Sequence, residues 1–130
     1  MTTPPYFAAA SSSLVASLAY ELIPGCAITI STKMPNARFE ATGIFDCAVT
    51  TIHTSNLMAG RLTVDGTSQP LLATHSMDVL DRGDEMMMWS GILPTAGNHT
   101  FSMEGVINGS GGGGTFQIYS CLRVEITEVI

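Results

Sequence analysis

"ARFEATGIFDCAV", residues 37–49, sets Phe39, Ala41, Gly43, Phe45, Cys47 and Val49 on one side of an extended chain. Arg38, Glu40, Thr42 and Asp46 fall on the other side, which Ile44 interrupts. Successive side chains of a strand point to opposite faces, whereas a helix would scatter this set around its axis. The stretch therefore predicts one long strand with an apolar face in a core and a polar face outside.

The same period runs outward from it. "CAITIST" (26–32) sets Ile28 and Ile30 against Ala27 and Thr29, and "GRLTVDG" (60–66) alternates Leu62 and Val64 with Arg61, Thr63 and Asp65. Asp65-Gly66 is a hairpin-turn signal. "HTFSMEGVI" (99–107) and "CLRVEITEV" (121–129) alternate in the same way, and Pro94, Gly97 and Asn98 supply a turn before the first of them. No segment longer than ten residues holds a helical period. About eight strands separated by turn signals predict an all-β antiparallel sandwich, a jelly roll with an extended N-terminal arm.

"EMMMWSGIL" (85–93) is apolar on both faces: Met86, Met88 and Ile92 on one, Met87, Trp89 and Leu93 on the other. Such a strand is covered on both sides, and in a small sandwich the second cover is a neighbouring subunit. The face with Met87, Trp89 and Leu93, together with Ile44, is the expected oligomer interface.

Composition fits an assembling protein. The 130 residues suit one domain, with 45% hydrophobic and only 12% charged residues. Five basic residues against eleven acidic ones give a net charge of -6 and no basic stripe, which argues against nucleic acid and anionic membranes. No apolar run reaches transmembrane length. Nothing before Glu21 is charged, and Pro4, Pro5, Tyr6 and Phe7 begin a segment read as a docking arm (1–20) ahead of the sandwich (21–130).

The motifs that could carry chemistry do not survive inspection. "NGSGGGGT" (108–115) lacks the Lys and the following helix of a phosphate loop, so it reads as a pliable inter-strand connection, mobile at an outer tip or, if ordered, held by a neighbouring subunit. His53, His75 and His99 are scattered and read as surface or turn residues, and Asp78, Asp81, Asp84 and Glu85 do not match a calcium loop. There is no nucleophile elbow. Asn98 and Asn108 head glycosylation sequons in loops. Cys26, Cys47 and Cys121 read as buried apolar residues, with one disulfide left open. No cofactor, no metal and no enzymatic activity is expected.

"PGCAITISTKMPNARFEATGIFD", "GRLTVDGTSQ", "MMMWSGILPTAGNHTF", the glycine loop and "SCLRVEITEV" together make the chain resemble small virion proteins of tailed bacteriophages, of the minor tail, fibre or head-decoration kind. The resemblance spans about residues 20–130 and implies a trimeric jelly roll like that of tumour necrosis factor. It also implies attachment to tail or capsid proteins and assembly into virions in the host cytoplasm. No catalytic residue carries over. The alternative expectation is a jelly-roll module that binds a host receptor or glycan.

Overall fold

The computed structural model describes residues 5–129, so Pro4 of the expected arm lies outside the described residues. Eleven strands follow in order: β1 (Tyr6–Ala9), β2 (Leu14–Val15), β3 (Glu21–Thr32), β4 (Ala37–Thr51), β5 (Leu57–Val64), β6 (Thr67–Ser68), β7 (Ala73–Ser76), β8 (Arg82–Leu93), β9 (Gly97–Asn108), β10 (Gly113–Phe116) and β11 (Cys121–Thr127). The excess over the eight expected comes from strands of four residues or fewer, too short to show a period.

Every pairing is antiparallel, and the strands form two sheets. In the six-stranded sheet β8 pairs with one side of β4, while β11 and β10 lie end to end along its other side. β1 extends the sheet beyond β11, and β2 extends it beyond β10. In the five-stranded sheet the order is β3-β9-β5, with β6 and β7 both paired to the far side of β5. The fold is the expected all-β jelly-roll sandwich.

β4 supplies the spine of the core. Phe39, Ala41, Phe45, Cys47 and Val49 are all buried, as the alternation of 37–49 predicts. The rings of Phe45, Trp89 and Phe116 meet edge-on, as do Phe39 and Phe101. Two glycines of the facing sheet make room for them. A Cβ on Gly60 would stand 2.2 Å from the Phe45 ring, and one on Gly105 would stand 2.3 Å from Phe116. The Asp65-Gly66 turn has φ of 52° and 81°, as a two-residue hairpin between β5 and β6 requires.

Two expectations need correction or refinement here. From Tyr6 onward the segment expected as an arm lies on the sandwich itself: β1 pairs with β11, Tyr6, Ala8 and Ala10 pack against the core, and Leu14 is buried in it. The glycine-rich stretch is held at several points by its own chain. Gly113 and Gly114 belong to β10, the Asn56 side-chain amide donates to the Gly111 carbonyl at 2.5 Å, and Gly109, at φ 145°, sits against Asn56.

Gly60→Ala should therefore destabilise the fold by about 1–3 kcal/mol through overpacking against Phe45. Gly111→Ala, whose Cβ would meet only His53 at 3.6 Å, should change stability by no more than about 0.5 kcal/mol. Urea unfolding of the two variants checks both values.

Candidate functional site

Register decides which face of β8 points where. Ala41 lies opposite Trp89 and Gly43 opposite Met87, so Met87, Trp89 and Leu93 share the inner face with Phe45. Trp89 and Leu93 are buried, Met87 packs half-buried against the core, and the Trp89 indole N–H donates to the Leu71 carbonyl at 3.1 Å. The expected interface is thus inverted for these three residues. Gly43 is the reason: lacking a side chain, it leaves the space that the Trp89 ring fills.

Ile44 does face outward, half-buried between Met86 of β8 and Cys121 of β11. Around it the outer face of the six-stranded sheet carries Met86 and Met88, each 61% exposed, Ile92 at 57% and Phe7 at 66%. Tyr6 and Pro5 are half-buried. The same face bears Arg38 and Glu40 on β4, and Arg123 hydrogen-bonded to Glu125 on β11. A recess of about 230 Å3 lies between β4 and β8, lined by Arg38, Phe39, Glu40, Ser90, Gly91 and Ile92. Gly91 lies opposite Phe39 on the inner face of β8, where a Cβ would strike the Phe39 ring.

The outer face of the other sheet is different in kind. Ala27, Thr29 and Ser31 of β3 run beside Asn98, Thr100 and Ser102 of β9. Thr29 and Thr100 share a hydrogen bond at 2.9 Å, and Arg61 is paired with Glu104 at 2.8 Å. That surface suits water.

At one end of the apolar face Asp46 is buried on what should be the polar side of β4. Both of its carboxylate oxygens accept from Arg82, at 2.9 and 2.6 Å, a bidentate charge-assisted pair. Its carbonyl accepts from Gln117 N–H at 2.7 Å, and its N–H donates to the Ser120 hydroxyl at 3.0 Å. Asp46, Arg82, Gly83, Asp84 and Tyr119 line an open hollow of about 250 Å3. Asp46 was not singled out by the sequence, because an Asp on a polar strand face gives no sign that it is buried.

The histidines are not surface residues throughout. His75 is buried with its two ring nitrogens 3.0 Å from Glu85 and 2.8 Å from Asp81. Burial alone would lower its pKa, but the hydrogen bonds to the two carboxylates outweigh that and hold it above its ordinary value. Buried His99 faces Asp65 Oδ2 and the Thr95 carbonyl, each at 2.7 Å. Both partners accept, so both ring nitrogens donate. The Asp65 hydrogen bond, which outweighs burial, raises the pKa of His99. His53 lies in a turn, with Nδ1 3.2 Å from the Ser55 hydroxyl.

Asp81 and Glu85 are thus spent on His75, and Asp78 stays exposed. Among the described residues no group of three or more His, Cys, Asp or Glu side chains is placed to hold a metal. All three cysteines are free thiols. Burial pushes Cys26 up to about 12 and raises Cys47 and Cys121 as well, which leaves little thiolate at neutral pH. No helix among the described residues is long and apolar enough to cross a membrane.

No family model matches the chain, and no curated protein matches it. Solved structures do. Latent PorU from Porphyromonas gingivalis superposes with a TM-score of 0.54 at 7% identity, over 95% of this chain and 12% of that one. The structure of infectious bursal disease virus, Gx strain, gives 0.50 at 13% identity, over 96% and 32%. A carbohydrate-binding module, CBM36, in complex with calcium and xylotriose gives 0.42 at 11%, over 98% and 92%. The chain spans only a small part of the first two. At these identities the first two likenesses show the fold alone, a jelly-roll sandwich.

The His99 clamp gives a pH prediction. Its folded pKa lies above the ordinary 6.5, so its stabilisation is complete below that value and is lost as pH rises through the raised one. The thermal midpoint should fall between pH 6 and pH 9, and His99→Gln should remove part of that fall. His75→Gln should remove a further part.

Proposed function

We propose that the chain is a non-enzymatic structural module that assembles with copies of itself through the outer face of its six-stranded sheet. The carrying observation is the contrast between the two outer faces: one rich in Thr, Ser and paired charges, the other holding Met86, Met88, Ile92 and Phe7 exposed. An exposed apolar row such as Met86, Met88 and Ile92 along β8, with Phe7 on the same face beyond Thr42 and Arg123, marks an interaction site.

The four charges at the centre of that face, Arg38, Glu40, Arg123 and Glu125, sum to zero, so a second copy meets no excess of one sign there, although Glu40 and Glu125 stand opposite each other. The recess above Phe39 receives a side chain from the neighbour. Among the described residues β8 pairs with β4 alone, and closure of a small ring would shield its other edge. Phe7 brings the 1–20 segment into the same contact, which is the form that docking by the arm takes in this reading.

In its finer form the reading is a trimeric virion protein of a tailed bacteriophage, attached to tail or capsid. Support for the particle role comes from the fold shared with infectious bursal disease virus and from the few charges in the chain. The absence of a role in chemistry is supported by the engaged histidines and the raised thiols.

Sedimentation tests the assembly. The wild-type chain should run as an oligomer, and the double variant Met86→Glu/Met88→Glu should run at the 13.7 kDa monomer mass with an unchanged circular dichroism spectrum. A wild-type monomer at high concentration would refute the reading.

A further inference from the structure

We propose that the hollow lined by Asp46, Arg82, Gly83, Asp84 and Tyr119 is a binding site for a single ring of a neutral carbohydrate. The proposal stands apart from the assembly reading and concerns other residues.

One buried residue sets both walls of the hollow. The turn between β10 and β11 is tied to the Asp46 backbone from both sides: Gln117 N–H reaches the Asp46 carbonyl at 2.7 Å, and the Ser120 hydroxyl takes the Asp46 N–H at 3.0 Å. That turn presents Tyr119, a residue 70% exposed. The Asp46 carboxylate holds Arg82 by two hydrogen bonds, with the guanidinium carbon 5.5 Å from the centre of the Tyr119 ring. Aromatic platform and donor fork are therefore fixed before any ligand arrives, which reduces the ordering cost of binding.

The parts match the chemistry of a pyranose. The Arg82 guanidinium lies over one face of the Tyr119 ring, and the opposite face is left for the sugar's C–H groups, on a side chain with little rotamer freedom to lose. Guanidinium N–H groups not used by Asp46 donate to hydroxyl oxygens. The carboxylate of Asp84, across the strand pair from Asp46, accepts from hydroxyl protons. At about 250 Å3 the hollow is smaller than a drug-sized site of about 300–1,000 Å3, which limits it to one ring.

Charge selects the class. Arg82 is already neutralised by Asp46, and Asp84 leaves the hollow negative, with Asp81 and Glu85 on the same stretch of chain. Sialylated, uronic and phosphorylated sugars are repelled, while neutral ones are not.

The full-length chain is screened on an array of neutral and acidic oligosaccharides, and the best neutral ligand is titrated by calorimetry. Neutral glycans should bind and acidic ones should not. Tyr119→Ala and Asp84→Asn, both at exposed positions, should each weaken binding by about tenfold, while Tyr119→Phe should keep it. Sedimentation of Tyr119→Ala should match the wild type. The proposal is overturned if no neutral glycan binds at millimolar concentration, if acidic glycans bind as well, or if Tyr119→Ala binds unchanged. It is equally overturned if Tyr119→Ala breaks the oligomer, because the hollow then belongs to the subunit contact.

Discussion

The Phe45 ring occupies the place where a side chain at residue 60 would have to stand. That contact joins the two sheets at the middle of the sandwich, and the rest of the core is arranged about it. Trp89 and Phe116 meet the ring edge-on from β8 and β10. Gly43, Gly60 and Gly105 are the matching absences of side chain. Close packing of this kind tolerates neither an added methyl nor a lost ring, so the inner face of β4 fixes the register of its neighbours.

Once the register is fixed, so is the outer face. Met86, Met88 and Ile92 cannot turn inward without carrying Trp89 and Leu93 out, because the side-chain period is two. The outward apolar row is thus a direct consequence of the core, on a sheet whose partner sheet shows Thr and Ser to water. Asp46 marks the end of that row. Its buried carboxylate would be costly without Arg82, and the bidentate pair in turn shapes the hollow beside Tyr119.

The main features of the fold were legible in the sequence because alternation reports one-sided burial directly, as at Phe39 to Val49. The short strands β2, β6 and β10 were not, since two to four residues carry no period. For β8 the alternation was correct but the assignment of faces was not. With both faces apolar, only the pairing of Gly43 with Met87 and of Ala41 with Trp89 distinguishes inside from outside, and that is long-range information. His99 escaped for the same reason, since its partner Asp65 lies 34 residues away. His75 escaped although Asp81 and Glu85 are only 6 and 10 residues away, because spacing alone does not show that its ring is buried between them. The glycine-rich loop was read as pliable because its clamp, Asn56, lies far away in sequence.

Methionine oxidation tests the central claim, that the outer face of the six-stranded sheet is covered by a second copy. Met58 and Met103 are fully buried in the core, whereas Met86 and Met88 stand 61% exposed on the single chain. With dilute peroxide and peptide mass spectrometry on the wild-type protein, the account predicts that Met86 and Met88 oxidise nearly as slowly as Met58 and Met103. Oxidation of Met86 and Met88 at the rate of an unstructured methionine peptide would contradict it.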